Sequence, residues 1–279
     1  MAEEETKNNP KEMIEATPEN LADDEDKSVE EIIDSAEKSG EGIKQEKDMS
    51  FEERRANREK TENRERLASW IPKTKLGRDV KNGKESSIDN VLKNRKKILE
   101  SEIVDFLIKN LESDLISIGQ AKGKFGGGKR RAWRQTQKKT KEGNVLTFSA
   151  MAVVGDKNGH VGLGTGKAKE TLPAREKAVR KAKLEIIKVE RGFEDPNDKF
   201  RDDPHTTPFI VHGKSGSVRV KLIPAPRGTG LVVGNELKKI LTLAGIKDVY
   251  CVSKGHTRTT FNYVKACFDA LNKTTKMIK

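Results

Sequence analysis

The sequence predicts an α+β protein: two small mixed units of strands and helices carried behind a long acidic extension. Three observations lead there. Short β-branched and apolar runs alternate with helix-spaced apolar stripes along two separate stretches, which is the pattern of mixed units rather than of a bundle or a sandwich. A segment rich in Asp, Asn and Pro, from Arg191 to Pro208, divides those stretches. Charge is strongly segregated, and at 279 residues the length allows one or two domains.

The first fifty residues hold 17 acidic and 6 basic residues, a net charge of −11, so the rest of a chain of net +12 carries +23. Few branched apolar residues interrupt blocks such as Glu3-Glu4-Glu5 and Asp23-Asp24-Glu25-Asp26. Such a composition buries too little surface to offset ordering entropy, which predicts a disordered acidic extension over 1–50. A charged segment over 51–69, with pairs such as Glu62 and Arg66 one helical turn apart, predicts an exposed helical linker.

The first mixed unit is expected over 70–192. Apolar spacing predicts short helices from Ser86 to Leu92 and from Ser101 to Leu111, then a strand near Leu115 to Gly119. A glycine-rich basic loop follows over Gly126 to Lys141. Ser149 to Val154 is a small, branched, apolar run, and Asn158-Gly159 supplies the positive φ angles of a tight hairpin, so a returning strand is expected from His160 to Leu163. Gly162, Gly164 and Gly166 remove β-carbons where the backbone meets another surface. From Ala174 onward, Ala174, Ala178, Ala182 and Ile186 recur every fourth residue, predicting a helix with one buried stripe and a basic opposite face.

A linker is expected over 193–208 and the second unit over 209–274, with a basic tail over 275–279. Phe209 to Val211 and Ser217 to Ile223 alternate as strands do, with Val218, Val220 and Leu222 sharing a face. Pro224 to Gly230 breaks that pattern. Leu237, Ile240, Leu241 and Leu243 then mark a short helix, Val249 to Val252 a strand, and Phe261 to Leu271 a closing helix.

Several chemistries are excluded by spacing. A nucleotide-binding loop fails at Gly166-Lys167, because Val161 stands where its first glycine belongs and Ala168 where a magnesium-binding hydroxyl belongs. Cys251 and Cys267 are the only cysteines and are too far apart for a Cys-x-x-Cys ligand pair, so each is expected as a small core residue. His160, His205, His212 and His256 have no metal-like spacing. No metal, cofactor, small-molecule substrate or membrane partner is expected, and no carboxylate pair or activated nucleophile supports an enzyme.

A polyanion partner is expected instead. Nine Lys or Arg residues fall between Lys122 and Lys141 without an acid until Glu142, interleaved with glycine and Trp133. Glycines let backbone amides reach phosphate, guanidinium groups bind phosphate in pairs of hydrogen bonds, and an exposed indole stacks on bases. RNA contact is therefore assigned to Lys122, Lys124, Gly126, Gly127, Gly128, Lys129, Arg130, Arg131, Trp133, Arg134, Lys138 and Lys139, with Lys167 and Lys169 at the glycine-rich hairpin.

The chain resembles the universal small-subunit ribosomal protein five family in its archaeal and eukaryotic form. The motifs that carry the resemblance are WIPKTKLGRDVKNGK (Trp70 to Lys84), ESEIVDFL (Glu100 to Leu107), VVGDKNGHVGLGTGKAKE (Val153 to Glu170), KSGSVRVKLIPAPRGTGLV (Lys214 to Val232) with LAGIKDVY, and GHTRTTFNYVKACFDAL (Gly255 to Leu271). The resemblance implies an N-terminal domain similar to the double-stranded-RNA-binding fold and a C-terminal α+β domain with a left-handed crossover. It implies a structural constituent of the small subunit in the cytoplasm that binds small-subunit rRNA and lies beside ribosomal proteins four and eight, near the path of messenger RNA, with an influence on decoding accuracy. Contact with ribosomal protein four falls, by position, on Gly216, Ser217, Val218 and Arg227. Val145-Leu146-Thr147-Phe148 departs from the arginines many relatives place before the strand phenylalanine, and 193–203 lacks the cysteines of some archaeal members. A free RNA-binding regulator or chaperone using the same folds is the alternative, separable by whether the protein fractionates with small subunits.

Overall fold

Trp70 opens the first packed segment. The structure, a computed structural model, describes residues 67–120, 130–193 and 204–277, together with Thr61 and Glu65. The acidic extension, most of the charged linker, the glycine-rich stretch 121–129 and residues 194–203 lie outside the described residues.

Three short helices come first: α1 (Lys75–Lys81), α2 (Ile88–Lys93) and α3 (Glu102–Leu107). Helix α1 was not anticipated from the sequence, because only Leu76 and Val80 mark its apolar face; it begins where the Thr74 hydroxyl accepts from the Gly77 amide at 3.0 Å. Trp70, Val80, Val91, Ile103 and Val104 form one cluster with Ile186. Glu100 pins its rim. The carboxylate accepts from Trp70 Nε1 at 2.9 Å and from the amides of Lys73 and Thr74 at 3.0 and 2.5 Å. Burial alone would raise this carboxyl, yet those donors hold it below its ordinary value.

The first sheet is antiparallel throughout. Its strands are β1 (Glu112–Leu115), β2 (Trp133–Thr140), β3 (Gly143–Gly155), β4 (His160–Ala168) and β5 (Ile186–Lys188), in the order β1-β3-β4-β5 with β2 also on β3. β1 pairs with the last four residues of β3 and β2 with its first eight, so the two share one edge end to end. Helix α4 (Thr171–Leu184) covers one face, where Ala174, Ala178 and Ala182 are fully buried. Gly162, Gly164 and Gly166 face them, and a β-carbon at any of the three would overlap the helix backbone. The helix therefore lies closer to the sheet than any larger residue permits.

The β3–β4 turn uses a different geometry from the expected one. Positive φ angles fall on Lys157 (62°) and Gly159 (103°), not on Asn158. Asp156 sets this: its carboxylate accepts from the amides of Asn158 at 2.8 Å and His160 at 3.0 Å, an Asx turn. The same carboxylate meets His160 Nδ1 at 2.6 Å, while His160 Nε2 reaches Asp89 of α2 at 3.2 Å. Lys188 completes the group at 3.0 Å from Asp89. Burial lowers the imidazole pKa, but the two carboxylates outweigh it and the net shift is upward. Both aspartates move below their ordinary value despite burial.

The second sheet contains β6 (Val211–Ser215), β7 (Val218–Pro224), β8 (Leu231–Val232) and β9 (Val249–Lys254), in the order β6-β7-β9-β8. β8 and β9 are parallel and joined through α5 (Asn235–Leu243); the closing helix α6 (Thr260–Met277) packs on β6 and β7. Val218, Val220 and Leu222 share the buried face, as the alternation predicted. Helix α6 continues to Met277, so 275–277 belong to it rather than to a tail.

One apolar core runs through both sheets. Met151, Val153, Val161 and Leu163 point away from α4 into the same cluster as Leu237, Ile240 and Leu241, each of which contributes about 1.5–3 kcal/mol by burial. Polar ties accompany it: the Lys157 amide donates to the Leu243 carbonyl at 3.0 Å, and Lys239 Nζ meets Asp114 at 2.9 Å and the Leu115 carbonyl at 2.7 Å. Ser69–Lys279 is accordingly one compact unit. The described end of the predicted linker is itself packed, with His205, Thr206 and Thr207 buried and Gly192 bridged to Thr206. Ile186, expected on the helix stripe, lies in β5, and the two-residue β8 had no periodicity from which to be read.

Candidate nucleic-acid interface

The basic segment expected as a loop over Gly126 to Lys141 is a strand from Trp133 onward. It pairs with β3 residue for residue, from Trp133 opposite Ala150 to Thr140 opposite Gly143. Sequence reasoning missed it because its alternation is polar on both faces. The reason lies in the pairing: β4 reaches only Phe148 of β3, so Thr136–Thr140 and Gly143–Thr147 form a two-stranded arm with no third strand. Neither face of such an arm meets a core, and the hydrophobic period that marks ordinary strands disappears. A hydroxyl pair, Thr136 with Thr147 at 2.7 Å, joins its base.

Along this arm Lys138 and Lys139 stand exposed, and Arg134 precedes them at the body of the sheet. Arg134, Ser149 and Lys167 occupy successive strands in one row. That row lies on the face turned away from α4. The side chains of Arg134, Lys138, Lys139, Lys167 and Lys169 make no hydrogen bond or ion pair among the described residues. Unpaired exposed cations of this density attract a polyanion and release its counterions on binding.

Trp133 is placed differently from the expected free stacking surface. It pairs with Ala150 and so points to the α4 side, half-buried. The Arg175 guanidinium of α4 lies 5.1 Å from the indole centroid and that of Arg131 lies 5.8 Å from it, both within cation–π range. Arg175 Nε is buried there without a hydrogen-bond partner. Lys183, expected on the solvent face of that helix, is instead bonded to Asp105 of α3 at 2.6 Å. Lys122, Lys124, Gly126, Gly127, Gly128 and Lys129 lie outside the described residues.

A cleft of about 680 Å³ opens beside the start of β2, between Gly119 and Gln120 on one wall and the first turn of α6 on the other. Arg130 and Arg134 line it together with Arg258, which sequence reasoning did not select. The available signal was the position of Arg258 in a Gly-His-Thr-Arg turn immediately before a helix.

The four residues assigned to a protein contact separate into two places. Gly216 and Ser217 form the β6–β7 turn and Arg227 the turn beyond β7, so a strand of seven residues, spanning roughly 20 Å, lies between them. Val218 is fully buried, so any contact it makes with a partner would be through its backbone and not its side chain.

Comparison with known proteins identifies the family. Residues 132–190 match the description "Ribosomal protein S5, N-terminal domain" and residues 213–278 "Ribosomal protein S5, C-terminal domain". The protein named "Small ribosomal subunit protein uS5" of Nanoarchaeum equitans is 51% identical over 207 residues, covering 74% of this chain and 88% of the relative. The chain belongs to the ribosomal protein S5 family. Proteins of the same name from Aeropyrum pernix and Picrophilus torridus are 44% and 46% identical, covering 76% and 74% of this chain and 90% and 86% of theirs. As an S5 protein of archaeal type the chain is a structural constituent of the small ribosomal subunit, a class without catalytic activity. The N-terminal S5 match spans β2 to β5 with α4, and the C-terminal one nearly all of the second sheet with α5 and α6.

Proposed function

We propose that this chain binds small-subunit rRNA through the β2–β3 arm and the glycine-rich stretch before it. Lys122, Lys124, Gly126, Gly127, Gly128 and Lys129 would act with Arg130, Arg131, Arg134, Lys138, Lys139, Lys167 and Lys169 there, and Trp133 would hold the arm's base rather than stack on a free nucleotide. The observation that carries this reading is a projecting two-stranded arm whose cations have no partner within the described residues. Cations held on a rigid hairpin meet phosphates at a smaller entropic cost than cations on a coil.

In the assembled cytoplasmic subunit the chain lies beside ribosomal proteins four and eight, near the channel through which messenger RNA enters, with its C-terminal domain toward protein four, and supports assembly and decoding accuracy. Gly216 and Ser217 at one end of β7 and Arg227 at the other are the contacts assigned to ribosomal protein four. A partner touching both must span the strand.

Sucrose-gradient fractionation tests the reading: the chain is expected in washed small subunits, and its absence there, with crosslinks to many unrelated RNAs, would favour a free RNA-binding regulator. Changing Lys129, Arg130, Arg131 and Arg134 together to alanine is expected to weaken rRNA binding and to lower its salt dependence. Each phosphate that is no longer neutralised reduces the slope of log K against log salt by roughly 0.7–0.9.

A further inference from the structure

The cleft beside β2 joins both halves of the chain around one concentration of positive charge. Arg134 enters it from β2, Arg130 from the segment just before that strand, and Arg258 from the turn before α6. Arg130 is partly committed, with Nη1 3.4 Å from Glu236. Arg134 and Arg258 are exposed and have no acidic partner among the described residues. Guanidinium groups do not lose their protons in proteins, so three of them lining one concavity make it attractive to an anion.

The wall opposite the arginines adds donors of a second kind. Helix α6 is 18 residues long, and its first-turn residues Thr260, Phe261 and Asn262 line the cleft. The Tyr263 amide already bonds Thr259 and the Thr260 amide bonds Arg258, both through carbonyl oxygens. The amides of Phe261 and Asn262 have no acceptor among the described residues. Unconsumed amides at the positive end of a helix favour an oxyanion, in addition to the three guanidinium groups.

The neighbouring cavity behaves differently. It holds about 430 Å³ and shares Arg130, but its own lining includes the acid Glu236, and its other cation, Lys239, is matched by Asp114. Anionic ligand is therefore drawn to the first cleft.

We infer that the cleft between the start of β2 and the first turn of α6 clamps one stretch of RNA sugar-phosphate backbone, with Arg258 supplying from the C-terminal half the grip that Arg130 and Arg134 supply from the N-terminal half. This rests on the rRNA-binding reading and adds to it a residue of the second domain. Ile118 on one wall and Phe261 on the other pack in the same apolar core, so the two walls are held together without a movement of one half against the other.

The test uses the full chain and a small-subunit rRNA transcript, with binding measured over a range of KCl concentrations for wild type, Arg258→Gln, Arg134→Gln, the double variant, and a Lys138→Gln/Lys139→Gln control on the arm. Arg258→Gln, with a melting curve like that of wild type, is expected to bind about tenfold more weakly. Its salt slope should fall by roughly 0.7. The double variant should bind more tightly than the product of the single effects implies, because each arginine is worth less once the other has released the strand. If Arg258→Gln binds as wild type does while the arm control is weakened, the clamp is wrong and the rRNA-binding reading stands. If wild type does not bind the transcript above non-specific RNA, the reading itself fails and the clamp with it.

Discussion

Gly164 of β4 lies against Ala178 of α4 so closely that a β-carbon on the glycine would overlap the Ala178 carbonyl oxygen and the Ala182 nitrogen. Both obstacles are backbone, which cannot rotate aside. Gly164→Ala is expected to destabilise the protein by about 3 kcal/mol or to prevent folding, since overpacking against backbone forces the helix off the sheet. Leu172→Ala on the exposed side of the same helix should stay within about 0.5 kcal/mol. Thermal unfolding of the two variants checks the contrast.

His160 confers a pH dependence of defined sign. Its folded pKa is raised above the ordinary 6.5 because Asp156 and Asp89 outweigh burial. A raised pKa means that the stabilisation is full below 6.5 and is lost as pH rises through the folded value. Asp89 and Asp156, lowered from 3.8, contribute stability above that value which is lost as pH falls through their folded pKa values. Denaturant unfolding should therefore show a decline above pH 6.5 that His160→Gln lacks. An imidazole NMR titration of His160 at or below 6.5 would overturn the account.

Glu100 holds three donors that have no other acceptor in place. Glu100→Ala is expected to cost about 1–3 kcal/mol by orphaning them. The loss should appear in Trp fluorescence as a shift of Trp70 toward a wetter environment.

Trp133 and Arg175 are expected to act as one unit. Arg175→Gln and Trp133→Leu should each lower stability, and a double-mutant cycle should give a coupling of about 0.5–2 kcal/mol, the range of cation–π pairs from exposed to desolvated. Coupling indistinguishable from zero would return Trp133 to the role of a free stacking surface.

Neither thiol should react with iodoacetamide at neutral pH in the native protein. Burial pushes the Cys251 thiol up to about 11 and that of Cys267 higher still, and Cys267 is fully buried. Thiolate is the reactive form, so labelling of Cys267 should track global unfolding, as measured by mass spectrometry against denaturant concentration.

Most strands and helices in both halves were legible because those elements bury one face, and burial imposes a period on the sequence. Ala174, Ala178 and Ala182 announced a helix, and Val218, Val220 and Leu222 a strand, through that mechanism alone. Positive charge between Lys122 and Lys141 likewise announced a polyanion partner, because a local excess of basic over acidic residues is a property of composition.

Three features belonged to the tertiary structure. The β2–β3 arm buries no face, so its strand has no period and shows itself only through backbone pairing with β3. The packing of Trp133 against Arg175 depends on which side of the sheet the register turns the indole. Arg258 joins Arg134 across 124 positions of sequence because Met151 and Val153 share a core with Leu237 and Ile240. Local sequence determines which segments hide apolar surface, and with it the elements and the charge they leave outside. Which charges meet was decided by how the two hidden faces closed on each other.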